Sequence, residues 1–164
     1  MKLWSVFGSA EQLVLEEATA NHARMLADLH AKSFTRGWTD GEFLEILGKP
    51  TACGFVLRPA GKRAKEIVAF VLARSVAGET EILTIAVASN WRRYGCGRRL
   101  MDEVLRKAHA DRVESVFLEV DEGNKAAVAL YKKLGFIQVG TRDGYYRKQA
   151  GENAAALVMR RDVR

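Results

Sequence analysis

The sequence predicts a mixed α/β fold, a central sheet flanked by helices. Three observations carry this. Ile82 to Val87 is an unbroken β-rich run, apolar on both faces, as a central strand requires. A glycine-containing turn, Arg92 to Gly97, follows it and opens a helical repeat of Leu100, Met101, Val104 and Leu105. The surrounding order is a helical N-terminal region, then ββ, then βαβαββ, which is that of a mixed sheet.

The elements follow in turn. Gln12 to Glu16 is a short apolar-rich first strand, and Met25, Leu26, Leu29 and Phe34 place a helix over Asn21 to Phe34. Thr39-Asp40-Gly41-Glu42 has the form of a capping box, so Phe43, Leu44 and Leu47 lie on a second helix that Gly48-Lys49-Pro50 stops. Cys53 to Leu57 and Ile67 to Arg74 read as strands, with turn chemistry from Arg58 to Lys62 between them. After the central strand and its helix to about His109, Val116 to Val120 is a strand in which Glu119 interrupts apolar residues. By alternation Glu119 shares a face with Phe117, opposite Leu118. Asn124 to Leu134 is a helix closed by Gly135, and Phe136 to Gly140 and Ala155 to Met159 are two closing strands.

Composition narrows the function classes. The 164 residues are 48% apolar and 28% charged, with two prolines, which fits a single domain over 1–164 with a real core. Cys53 and Cys96 are too few for a disulfide framework and lack metal-ligand spacing, so reduced thiols and no metal are expected. The run Met1 to Ala10 is too short and mixed for a signal peptide or membrane span, so a cytoplasmic location is expected and no membrane partner. The net charge of +6 raises nucleic-acid binding, but no zinc-finger or RNP-type signature accompanies it. The basic residues instead gather around the glycine turn, at Arg92, Arg93, Arg98 and Arg99.

That turn is suited to an anion. Gly95 and Gly97 let the backbone approach a ligand, and amides at a helix N-terminus favour negative charge. Leu100 stands where the dinucleotide fingerprint has its third glycine, and no Gly-Lys-Ser/Thr follows as in a P-loop. Taken alone, such a turn is also a common way to start a helix.

Its company is more specific. Arg92-x-x-Gly95-x-Gly97, then Leu118-Glu119-Val120, Asn124 and Ala129 to Phe136, follow one another in order. Over about residues 80–160 this resembles the GNAT N-acetyltransferases, whose acetyl-CoA motif is a Gln/Arg-x-x-Gly-x-Gly/Ala loop. Within that family the likeness is to the branch that acetylates ribosomal-protein N-terminal alanine. It is carried by Ile85-Ala86-Val87, by Leu118-Glu119-Val120 with Asn124, and by Arg142-Asp143-Gly144-Tyr145-Tyr146.

The resemblance implies a GNAT (acyl-CoA N-acyltransferase) fold with its acetyl-CoA-binding core at about 80–136. It implies that Ile85, Ala86 and Val87 bind the thioester arm through their backbone. Arg93, Tyr94, Gly95, Cys96, Gly97 and Arg98 would hold the pyrophosphate, and Asn124 would touch the cofactor. Glu119 would be the general base, and Tyr131 the general acid beside the cofactor. Trp38, Tyr145 and Tyr146 would line the acceptor site, and the partner would be a protein N-terminus, that of a ribosomal protein. Val87-Ala88-Ser89-Asn90-Trp91 departs from the family's usual Asp-Pro, which alters a turn rather than the chemistry. Asp121-Glu122-Gly123 is more acidic than the family's usual segment and suggests a rim that draws in a cationic terminus.

The chemistry itself asks for these roles. An amine attacks a thioester only when unprotonated, and an α-amino group has a reference pKa of about 7.7–8.0, so a modest carboxylate base suffices. The departing thiolate takes a proton, which a tyrosine can supply, and strand amides can polarise the carbonyl. Read without the family, Glu119 is a solvent-facing strand residue and Tyr131 a core aromatic. His22, His30 and His109 have surface or satisfied core roles, and Cys96 lacks a base. A lysine or small-molecule amine acetyltransferase, and a non-catalytic acyl-CoA-binding module, are the rival functions.

Overall fold

The computed structural model describes residues 12–61, 65–147 and 153–164. The run Met1 to Ala10 and part of the turn after Arg58 lie outside them. Side chains of residues 144–147, and so of Tyr145 and Tyr146, are outside them as well.

Seven strands form one sheet in the order β1-β2-β3-β4-β5-β7-β6. They are β1 Leu13–Glu17, β2 Ala52–Pro59, β3 Ala69–Val76, β4 Glu79–Val87, β5 Ser115–Asp121, β6 Ile137–Arg147 and β7 Asn153–Asp162. All neighbours are antiparallel except β4 and β5, which run parallel and therefore need a crossover, the helix α3 Cys96–Ala110. The expected central strand is β4, the fourth of the seven. The closing strands differ from expectation. Both are longer, and the Arg142 to Tyr146 stretch is strand β6 itself. The last strand slots between β5 and β6, so β6 becomes the edge.

Helices cover the two faces unequally. On one face α3 buries Leu100, Met101, Val104, Leu105 and Ala108, the stripe its spacing predicts, against Phe55, Val71 and Leu118. Each such fully buried aliphatic side chain contributes about 2 kcal/mol. Its solvent side carries ion pairs Arg98–Asp102 and Lys107–Asp111 at i,i+4, and the Glu103–Arg106 pair. These are worth a few tenths of a kcal/mol each at most. The helix α4 Lys125–Lys133 joins this face through Val128 and Tyr131. It ends where Gly135 takes φ +86, the left-handed stop anticipated there.

The other face holds α1 Ala23–Ser33 and α2 Asp40–Leu47, packed over Val56, Phe70, Leu72 and Ala86. The capping box forms as read. Thr39 Oγ1 accepts from the Glu42 amide at 3.2 Å, and Glu42 Oε2 accepts from the Thr39 amide at 2.8 Å. Chain entry to this layer depends on Gly54. The Ala18 amide donates to the Gly54 carbonyl at 2.8 Å, and a Cβ at Gly54 would fall 2.3 Å from Leu72 Cδ2 and 2.9 Å from the Val71 carbonyl oxygen.

Gly54→Ala is expected to destabilise the fold by about 1–3 kcal/mol through overpacking. Denaturant unfolding at pH 7, with the midpoint falling at constant slope, checks it.

Candidate active site

The site begins where two parallel strands part. β4 and β5 pair only through Glu79–Ser115, Thr80–Val116 and Glu81–Phe117. Immediately beyond, the β3–β4 register changes. Ala73 pairs with Ile82 but Leu72 pairs with Thr84, so Leu83 is an extra residue in β4. Such a bulge bends its strand and breaks pairing. From Ile82 to Val87, β4 thus has β3 on one side and no strand on the other. The Ala88 amide donates to the Val68 carbonyl at 2.8 Å on the β3 side. Two-residue alternation turns the Ala86 amide the same way and those of Ile85 and Val87 toward the open edge.

Both strands lead into helices whose N-termini face this parting. Ser89–Trp91 is a single 3-10 turn, and the loop after it uses left-handed backbone at Arg93, φ +67, and at Gly95, φ +76. Only glycine adopts that conformation without strain, which explains Gly95 at the helix N-cap. The α3 start has no side-chain cap, and its first intrahelical bond runs from the Arg99 amide to the Gly95 carbonyl. The amides of Cys96, Gly97 and Arg98 therefore remain available to an anion. At α4, by contrast, Asn124 Oδ1 accepts from the Ala127 amide at 3.2 Å, leaving its side-chain nitrogen as donor.

Of the arginines, Arg98 sits in the first turn with Asp102 3.6 Å away. Arg99 is turned elsewhere: its Nη1 donates to the Leu13 carbonyl at 3.0 Å and ties α3 to β1. Arg99, one of the basic residues around the turn, is thus committed to holding β1. Tyr94 is exposed, against Trp91 at a ring distance of 5.9 Å. Cys96 is buried, with its thiol 3.6 Å from the Trp91 carbonyl, and burial raises its pKa. It is a packing residue rather than a thiolate.

Glu119 stands on β5 just past the parting. Leu118 and Val120 point into the α3–α4 core, so Glu119 faces the α1–α2 side, as its alternation predicts. It is half-buried, and Oε1 lies 2.9 Å from Arg142 Nη2 on β6. Sequence reading missed this partner, which lies two strands away across β7. Tyr131 is on α4 in the α3–α4 core, 5% exposed, edge-on to Phe136 at 5.9 Å. Burial pushes its phenol up to about 12. The expected acidic rim is partly committed to structure, since Asp121 Oδ1 accepts from the Gly123 amide at 2.7 Å.

Trp38 joins the α1–α2 cluster that includes Ala86 and Leu83 of the parted strand. It is fixed by His30, which lies buried between rings. His30 stacks on Phe34 at 4.3 Å and Trp38 at 4.9 Å, and its Nδ1 accepts from the Trp38 amide at 3.1 Å. Burial lowers its pKa, against a smaller opposite pull from Glu42, so at pH 7 the ring is neutral with its proton on Nε2.

Among the described residues no group of three potential metal ligands occurs, and no helix is long and apolar enough to cross a membrane. A shallow hollow of about 430 Å³ lined by Arg98, Asp102, Lys133, Leu134, Gly135 and Arg161 includes neither Glu119 nor Tyr131. Glu119 stands beside the strand parting instead.

The site is thus a strand pair opened by a bulge, followed by a helix without a side-chain cap. Residues 23–136 match the acetyltransferase (GNAT) family, and the chain belongs to that family. It is 31% identical over 121 residues to the [ribosomal protein bS18]-alanine N-acetyltransferase of Escherichia coli K12, covering 74% of this chain and 78% of that one. It is 34% identical over 154 residues to the N-alpha-acetyltransferase RimI of Mycobacterium tuberculosis, covering 93% and 94%. The crystal structure of the Escherichia coli ribosomal-protein-S18-alanine N-acetyltransferase superposes with a TM-score of 0.84 over 93% of this chain and 94% of that one. At 24% identity in that superposition, it shows the shared fold.

With its phenol pushed up to about 12, Tyr131 is expected to stay protonated at pH 10.5. The tyrosine Cζ signal that is lost in Tyr131→Phe should keep the same NMR shift at pH 10.5 as at pH 7.

Proposed function

We propose that this protein moves the acetyl group of acetyl-CoA to the N-terminal amine of a protein. The acceptor is the N-terminal alanine of a ribosomal protein, the substrate named for the Escherichia coli relative. The observation that carries the reading is the parting of β4 from β5, with Glu119 on one strand and turned-out amides of Ile85 and Val87 on the other.

Bound acetyl-CoA supplies an activated acyl carbon, whose bond to sulfur breaks as the bond to the amine nitrogen forms. The residues fit such a ligand: an open strand edge for an extended amide-bearing arm, and bare helix amides with Arg93 and Arg98 for a pyrophosphate. Glu119 takes the proton that the amine must lose. Ile85 and Val87 direct backbone donors to the carbonyl oxygen, where charge develops. Tyr131, fully protonated at neutral pH, gives its proton toward the departing sulfur. Trp38 borders the acceptor side, and Asn124 contacts the cofactor from the α4 cap.

Peptides with free or blocked N-termini, with and without lysine, are incubated with acetyl-CoA while thiol release is followed. Turnover confined to free N-termini is expected. Acetylation of lysine or small amines alone would displace the reading, and cofactor binding with no turnover on any amine would favour a binding module. Glu119→Gln and Tyr131→Phe should each lower kcat roughly 100-fold, the usual scale for one acid or base group. Calorimetry should show acetyl-CoA affinity within about twofold of the parent, since those substitutions leave the helix amides and strand edge intact.

A further inference from the structure

One described ion pair couples Glu119 to a side chain that the proposed chemistry does not use. Arg142 Nη2 lies 2.9 Å from Glu119 Oε1, and the two side chains are 53% and 26% exposed. The carboxylate is therefore within reach of a molecule arriving from solvent, and the guanidinium can move off it into water. By contrast, Arg74–Glu81 and Arg160–Glu79 hold residues from the paired part of β4. A half-exposed pair is weakly held, since water and salt compete for both charges.

The strand register explains how the arginine reaches so far. Glu119 pairs with Val158, and Val158 with Gly140, so these three form one row across the sheet. Arg142 stands in the next row that faces this side, opposite Ala156 and, beyond it, Asp121. Its side chain crosses the middle strand on a diagonal to meet Glu119. Gly140 places no side chain beside that path, and Ala156 only a methyl. Two-residue alternation turns Asp121 to the same face as Glu119. Strands two apart are separated by about 10 Å, so a guanidinium leaving Glu119 has a second carboxylate within a side chain's swing.

We propose that Arg142 is a specificity-determining residue, its guanidinium holding the place at Glu119 that the acceptor's ammonium takes, so that acceptors are admitted by charge. The proposal rests on the reading of Glu119 as the base. An α-amino group, with a reference pKa of about 7.7–8.0, arrives at pH 7 mostly as an ammonium. It brings the carboxylate a charge equal to the one it removes. A blocked N-terminus or an internal chain segment brings none and leaves Arg142 in place. Every acceptor must break the Arg142 contact before it gains its own. Half-exposed ion pairs are weak, which sets that loss of acceptor affinity at about three- to fivefold.

Arg142→Met removes the charge and keeps the stem, and Arg142→Lys keeps a cation. Both are compared with the parent, with Glu119→Gln, and with Arg142→Met combined with Glu119→Gln. Calorimetry measures the Kd of a peptide with a free N-terminus for each protein saturated with CoA, a complex that cannot turn over. KM and kcat are measured with acetyl-CoA beside it. For Arg142→Met the expected result is binding about three- to fivefold tighter and KM lowered to match, with Arg142→Lys near the parent. In the Glu119→Gln background the effect of Arg142→Met should shrink below about 1.5-fold. Parental or weaker peptide binding by Arg142→Met overturns the proposal. So does equal tightening in the Glu119→Gln background, because Arg142 would then act on the acceptor without the carboxylate. If Glu119→Gln keeps parental kcat while the coupled tightening is seen, the base reading falls and Arg142 stands. Turnover of lysine or a small amine alone overturns the proposed acceptor, and the same comparison with that amine decides Arg142. No binding and no turnover with any amine overturns both.

Discussion

Everything distinctive in this molecule follows from the short reach of the β4–β5 ladder. Three paired positions join the halves of the sheet, and one surplus residue, Leu83, then swings β4 away. The backbone donors that β4 would have spent on β5 are left facing an opening. The helices after each strand start at that opening, because a parallel crossover begins where its strand ends. A wedge lined by strand amides, helix amides and one carboxylate is thus built with little dependence on the identity of most side chains.

The two faces of the sheet then divide the labour. The α3–α4 side is closed by a large apolar core, in which Tyr131 is sunk and stays protonated at neutral pH. The α1–α2 layer stacks over β2, β3 and β4, which leaves Glu119 on the same side beyond its margin. His30 contributes by fixing Trp38 at that margin through a ring nitrogen that accepts only while neutral.

Local features were legible in the sequence. The capping box at Thr39, the left-handed stop at Gly135, the buried stripe of α3 and the outward turn of Glu119 each follow from neighbours within a few residues. What was hidden depends on pairing. The bulge leaves no mark because Ile82 to Val87 is apolar on both faces, so a change of phase alters no pattern. Arg99 read as one more basic residue of the loop, yet the tilt of α3 hands it to Leu13. Arg142 finds Glu119 only because the last strand inserts between theirs, an order that turn chemistry does not dictate. The strand boundaries at β6 and β7 were short because the segment from Arg142 to Tyr146 lacks strict alternation, and its register shifts between Arg142 and Tyr146.

The Arg142–Glu119 pair also bears on how a catalytic cycle would close. A guanidinium is a cation in the place where, under the proposed chemistry, an ammonium must dock, so entry of the acceptor would swap one positive partner for another. Transfer would then leave an uncharged amide beside a protonated Glu119, and neither holds a cation. Once that proton has passed to water, the carboxylate is charged again and the arginine can reclaim it, while the amide product has no charge left to hold it there.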